Sequence, residues 1–285
     1  QRLRGSEFTL QLSDTTDQWL NDLFTKVVGE RTDVALIAVG GYGRRDLSPL
    51  SDLDILLLHK NANDIDTVAE GLWYPIWDHG EKLGHSVRTL DETLDLASSD
   101  LDTATSLLSC RHIGGSKELA DELSSLALSQ WKNKARNWLP KLATSIQQRH
   151  RAKGEVAFML EPELKEGRGG LRDVHAMGWA NLSGQGPLEV EHHQLLECYE
   201  VILRARVELH RKSNRASNKV LLEQQDAVSE ALGYEDADFL MADVASSARR
   251  IAWNIDELCY VIQNAGLFRL WNFSKKVGDT ITRKR

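Results

Sequence analysis

Cysteine is scarce. Cys110, Cys198 and Cys259 are odd in number, far apart and without any C-x-x-C spacing, which excludes a disulfide framework, gives no support to a zinc site and points to a reducing, cytoplasmic compartment. No apolar run approaches the roughly 18 residues that a membrane span needs. The opening stretch also lacks the charged head, apolar middle and small-residue cleavage site of a secretory signal. Neither a spanning nor an exported protein is expected. An excess of cations is missing as well: 35 Lys and Arg stand against 42 Asp and Glu, a net charge of -7, the wrong sign for a surface that wraps duplex nucleic acid. The basic runs Arg149-His150-Arg151 and Arg283-Lys284-Arg285 have no interleaved aromatics on which bases would stack. Neither the Walker loop nor the dinucleotide fingerprint occurs, which disfavours P-loop NTPases and dehydrogenases. There is no internal repeat and no low-complexity tract. What remains is an ordinary globular composition, 41% hydrophobic and 27% charged over 285 residues, enough for one large domain or two smaller ones.

Gly5-Ser6-Glu7-Phe8 is the peptide that adjacent BamHI and EcoRI sites encode, so residues 1–8 are set aside as a cloning scar. Apolar residues from Trp19 to Val28 recur at helical spacing, predicting a helix over 14–28. Val34 to Val39 and Leu53 to His59 are short continuous apolar runs and predict strands buried on both faces. The short connection between them has room for a glycine turn and one small helix. A helix over 64–79, bent or ended by Pro75, and a third strand over 82–90 follow. The sheet is expected to finish near residue 90, with helices over 91–97, 102–112, 116–126 and 130–150. After a Pro- and Gly-containing loop over 156–170, further helices are expected over 172–182, 189–212, 218–232 and 238–264.

The densest chemical signal is Val39-Gly40-Gly41-Tyr42-Gly43-Arg44-Arg45 followed by Leu50-Ser51-Asp52-Leu53-Asp54-Ile55. A glycine turn leaving a strand lets backbone N–H groups approach a triphosphate, and the helix start that follows favours its negative charge. Asp52 and Asp54, two residues apart on a strand, point to one face and can hold a divalent cation between them. Taken singly, a Gly-Gly-x-Gly is a turn and an Asp-x-Asp a solvated strand end. Their combination, with the acids inside an apolar strand, is the pattern of nucleotidyltransferases resembling DNA polymerase beta.

Four segments then carry a closer resemblance: Ala38-Val-Gly-Gly-Tyr-Gly-Arg44, Leu47-Ser-Pro-Leu-Ser-Asp-Leu-Asp-Ile-Leu-Leu-Leu58, Gly84-His-Ser-Val-Arg-Thr89 and Leu160-Glu-Pro-Glu-Leu-Lys-Glu-Gly-Arg-Gly-Gly-Leu-Arg-Asp173. In this order they resemble the bacterial enzymes that nucleotidylate the PII signal protein. The resemblance implies an α+β fold: a polymerase-beta-like domain with a small mixed sheet over 9–150, then an all-helical domain over 151–285. It also implies transfer of UMP from UTP, or AMP from ATP, to a tyrosine hydroxyl of PII, with Mg2+ as cofactor and glutamine-linked nitrogen sensing. Gly40 and Gly41 match the nucleotide-binding glycines, Asp52 and Asp54 the metal-binding catalytic acids, and Ser51 the phosphate-contacting residue before them.

Arg44 and Arg45 adjoin the glycine turn, and Lys165, Arg168 and Arg172 lie on a glycine-flexible loop. As cations these residues suit a triphosphate wall, with solvated ion pairs as the plainer role. A third acid is absent from 84–88, and Asp100 and Asp102, the nearest downstream, are read as helix caps. No His-Asp dipeptide occurs, so the metal-dependent hydrolase domain of full-length relatives is not expected here, nor are their ACT domains. His192-His193 is read as surface. Arg204, Arg206, His210, Arg211 and Lys212 place a cationic stripe on one helix, suited to an acidic partner. Three other functions stay open: adenylylation of glutamine synthetase, nucleotidyl transfer to a small molecule of the aminoglycoside kind, and a catalytically silent PII-binding module.

Overall fold

The computed structural model describes residues 3–184 and 192–282, with backbone alone at 192 and over 265–282. The chain opens with helix α1 (Gly5–Val28), strand β1 (Val34–Ala38), the single turn α2 (Gly40–Gly43) and strand β2 (Leu53–His59). Helix α3 (Ile65–Asp78) then leads to strand β3 (Leu83–Thr89), helices α4 (Leu90–Ala97) and α5 (Leu101–Leu107), and strand β4 (Arg111–Gly115). The rest is helical: α6 (Lys117–Asn133), α7 (Ala135–Lys153), α8 (Leu171–Leu182), α9 (His192–Ser213), α10 (Leu222–Leu232) and α11 (Ala237–Thr282). No helix of the described residues is long and apolar enough to cross a membrane.

The α+β class and the small mixed sheet follow the sequence expectation. Strand order is β3-β2-β1-β4. β1 and β2 are antiparallel, pairing Ala38 with Ile55, so their short connection needs no crossover. β2 and β3 are parallel, and α3 supplies the crossover that a parallel pair requires. Pro75 sits in the last turn of α3 without ending it.

The two faces of the sheet are covered differently. Leu36, Ala38, Leu53, Ile55 and Leu57 pack with Leu20 and Phe24 of α1 and with Leu72, Trp73 and Ile76 of α3. Ala35, Ile37, Leu56 and Leu58 join the larger core that runs through the helices from α4 to α11. Within that core Trp131 and Trp138 stack with centroids 5.8 Å apart, and Trp131 donates to the Trp179 carbonyl at 2.9 Å. Period-two alternation therefore turns Asp52 and Asp54, with Leu56 and Leu58, toward the helical side.

Three features correct the sequence reading. The sheet does not finish near residue 90: α5 stops at Leu107, and β4 pairs antiparallel with β1. With Ile113 its one buried apolar side chain and Gly114-Gly115 at its end, β4 lacks an apolar run and forms because β1 offers a second edge. The first helix starts at Gly5 rather than 14, inside the segment set aside as a scar. Ser6 N–H donates to Glu200 of α9 at 3.1 Å, and Arg4 donates to the Leu232 carbonyl at 2.9 Å. The cationic stripe on α9 is mostly turned inward. Arg206 and His210 are buried, Arg204 pairs with Glu200 at 2.7 Å, and Arg211 pairs with Glu208 at 2.5 Å. Of the helix expected over 189–212, residues 189–191 lie outside the described residues, as does the run Arg283-Lys284-Arg285.

Candidate active site

The Gly40-Gly41 turn sits where β1 ends and is anchored from behind. Tyr42 donates its hydroxyl hydrogen to Asp17 of α1 at 2.6 Å. Arg111 of β4 pairs with the same carboxylate and donates to the Tyr42 carbonyl at 3.1 Å. Gly40 has φ +57°, and a Cβ there would stand 3.1 Å from Asp54 Oδ2. The turn thus brings bare backbone against the Asp54 carboxylate, which suits glycine.

A cleft of about 330 Å³ opens between this turn, β2 and the helices, and its lining includes Gly40, Gly41, Arg44, Ser51, Asp52, Asp54, Lys165 and Arg172. Eight of the sequence-predicted residues thus meet in one place, although Lys165 and Arg172 lie more than a hundred positions from the glycines. Ser51 closes the preceding turn, its Oγ accepting from Ser48 N–H at 3.3 Å. Arg168 does not join them. It pairs with Glu155 at 2.5 Å and with Asp256 of α11, tying the loop over 156–170 to the last helix, and it is not among the residues that line the cleft. Arg45 likewise turns away and pairs with Asp14 at 2.8 Å.

The charge pattern of the cleft is polarised. Burial raises the Asp54 carboxyl above its ordinary range, and the neighbouring Asp52 charge adds to the effect against the pull of Lys165, Arg44 and Arg172. Burial lowers the Lys165 ammonium, and Arg206, Arg172 and Arg44 add to that against Glu166. Asp54 thus lacks compensating positive charge and Lys165 lacks compensating negative charge. A magnesium ion with a polyphosphate supplies both needs. The donor set fits Mg2+, which takes one or two protein carboxylates and completes its shell with phosphate oxygens and water. Among the described residues no group of three or more His, Cys, Asp or Glu side chains is placed to hold a metal.

Behind the cations lies a buried network that the sequence reading missed. Asp46 accepts from Arg44 Nε at 2.9 Å and from the Tyr199 hydroxyl at 3.0 Å, and His175 Nε2 lies 3.2 Å from it. Burial works against the Asp46 charge, but hydrogen bonding from His175 and the Arg44 guanidinium outweigh it and hold its pKa at about 2. His175 is pushed down to about 4 by burial and by Arg44. At neutral pH it is therefore an uncharged donor to Asp46, and Arg44 is the counter-ion. Arg44 and Arg172 also lie over the Trp179 ring, 6.0 and 5.2 Å from its centroid. Arg206 donates to Ser48 Oγ at 2.6 Å and to Asn218 at 2.7 Å, and it lines the cleft as well. Asp46 carried a faint signal, two residues after Arg44. Tyr199 and His175 carried none, because both sit in ordinary helical patterns.

His210, whose Nδ1 lies 2.7 Å from the Pro49 carbonyl, is also lowered to about 4 by burial and the Arg206 charge. Both histidines fold uncharged, so below pH 6.5 the unfolded chain takes up protons that the folded chain refuses until about pH 4. Their contribution to stability is full above 6.5 and lost as pH falls through that window. Thermal melts between pH 7 and pH 4 should show a steep fall in Tm, reduced in His210→Gln; a flat profile would contradict this assignment.

Of the acids downstream of β3, Asp100 caps α5 by accepting from Thr103 N–H at 2.7 Å. Asp102 instead reaches the rim of the cleft, 3.8 Å from Arg172.

The family model described as GlnD PII-uridylyltransferase matches residues 139–259. Bifunctional uridylyltransferase/uridylyl-removing enzymes of Streptomyces coelicolor and Mycobacterium tuberculosis are 41% and 39% identical to the chain over 244 and 252 residues, 85% of it in each case. The enzyme of that name in Aliivibrio fischeri is 34% identical over 268 residues, 87% of the chain. The chain is thus a relative of these enzymes along most of its length, as its motifs indicate. It spans 29%, 31% and 31% of theirs.

Proposed function

We propose that this chain transfers UMP from UTP to a tyrosine hydroxyl of a PII signal protein and releases pyrophosphate. The observation that carries the reading is the meeting of Asp52 and Asp54 with Arg44, Lys165 and Arg172 around the Gly40-Gly41 turn in one cleft. The uridylyl group and the PII acceptor are taken from the names of the matching family and relatives. Asp52 and Asp54 would hold Mg2+, which would offset the negative charge that develops on the leaving oxygen. The backbone of the glycine turn and Ser51 take the phosphates from one side, and Lys165, Arg172 and Arg44 take them from the other. Asp46, held by His175 and Tyr199, fixes Arg44 in the direction the phosphates need. The tyrosine oxygen bonds to the α-phosphorus, the bond from that phosphorus to the β-phosphate oxygen breaks, and the hydroxyl proton passes to water. Because the reactants are bound ready-aligned, positioning and charge supply most of the acceleration.

Pyrophosphate release measured with Mg2+, in four pairings of UTP or ATP with PII or glutamine synthetase, tests this reading. Release in the UTP and PII pairing above the other three is expected. Release confined to ATP and glutamine synthetase would replace it.

A further inference from the structure

A second hollow, of about 390 Å³, lies on the other side of Asp54, bordered by Gly84, Ser86 and Arg88 of β3 and by Asp102, Thr103 and Leu107 around α5. Asp54, Asp102 and Ser106 line both hollows, so the two meet at the metal-type carboxylate. Strand register gives the second hollow its direction. Gly84, Ser86 and Arg88 lie beside Asp54, Leu56 and Leu58 of β2, so a groove leads from Asp54 along β3 to Arg88, a distance of about 13 Å at the rise of an extended strand.

Resting on the transferase reading above, we propose that this groove is the acceptor channel. A polypeptide lies along β3 with its tyrosine at Asp54 and a carboxylate about four residues away paired with Arg88. Three observations carry this. In-line displacement puts the attacking and leaving oxygens on opposite sides of the α-phosphorus. The cations Arg44, Lys165 and Arg172 belong to the first hollow, which leaves the attacking oxygen the second. The groove is also wrong for a polyphosphate: Arg88 is its one Lys or Arg, and Asp102 adds negative charge. Finally, Gly84 keeps the junction open, since a Cβ there would stand 2.6 Å from Asp54 Oδ1. The Arg88 charge is felt by Glu92 four positions on, and a carboxylate of the acceptor gives it a direct partner in the groove.

The test measures acceptor kinetics with PII as substrate and, separately, binding of Mg-UTP by calorimetry, for Arg88→Glu and Ser86→Trp. Arg88→Glu should raise the KM for PII about 10-fold or more, the scale of a lost charge pair turned repulsive, while the Kd for Mg-UTP stays within about 2-fold. A PII variant whose acidic residue near the tyrosine is replaced by Lys should recover most of that loss. Ser86→Trp, which fills the groove without touching charge, should raise the same KM. If wild type labels PII and both variants keep its KM within about 2-fold, the channel lies elsewhere. A rise in the UTP Kd with PII KM unchanged would make the groove a nucleobase pocket and overturn the proposal. A wild-type chain that labels no PII under any condition would instead overturn the transferase reading and the groove with it.

Discussion

Asp54→Asn should lower kcat/KM by about 10³-fold or more, the worth of several kcal/mol of charge stabilisation, and should raise the melting temperature of the magnesium-free chain. The two effects have one cause. Burial and the Asp52 charge raise the Asp54 carboxyl above its ordinary range, so the folded chain disfavours its ionised form more than the unfolded chain does. Its contribution to stability is full below the ordinary carboxylate range and is lost as pH rises through the raised value. At neutral pH without metal the ionised group is therefore a burden, and the amide removes it. The gain should appear as a higher Tm for the variant than for wild type when both are measured without magnesium at neutral pH. Magnesium with UTP should raise the wild-type Tm and leave the variant nearly unmoved. A variant that melts lower without metal would mark Asp54 as a structural residue.

Lys165→Met should lower kcat/KM for UTP by about 100-fold or more, while Arg168→Met changes it less than about 2-fold. Both residues are cations in the same glycine-rich loop and both were expected at the phosphates. Lys165 lines the cleft, its charge disfavoured first by burial and then by Arg206, Arg172 and Arg44. A triphosphate relieves that conflict, so the interaction strengthens when the nucleotide arrives. The Arg168 charge is already met by Glu155 and Asp256, and such partly exposed pairs contribute little. Steady-state kinetics on the two variants decides the matter. Equal losses would mean that the loop acts through its conformation rather than through Lys165.

The difference between these two residues shows where sequence reading reached its limit. The meeting of Gly40, Gly41, Asp52 and Asp54 in one place was legible because local geometry dictates it: the turn ends a strand, and period two puts both acids on one face. The β1 and β2 strands were legible because their apolar runs are long enough to mark them, and β3 only through a loose alternation. β4 was not, since its place depends on the free edge of β1 rather than on its own side chains. The direction of a long cation on a loop depends on which acids other helices bring near. Asp256 lies 88 positions from Arg168, and no local spacing reports it. Arg206 and His210 failed for the same reason: surface helices are rich in such residues, and only the packing of α9 against Ser48 and Pro49 turns these two inward.

The most direct measurement is the intact mass of a PII protein incubated with this chain, Mg2+ and UTP, with the Asp52→Asn and Asp54→Asn double variant alongside. Wild type should add one UMP per PII subunit, mapped to a tyrosine, and the variant none. An equal gain with both would contradict the site, and no gain with wild type would contradict the reaction.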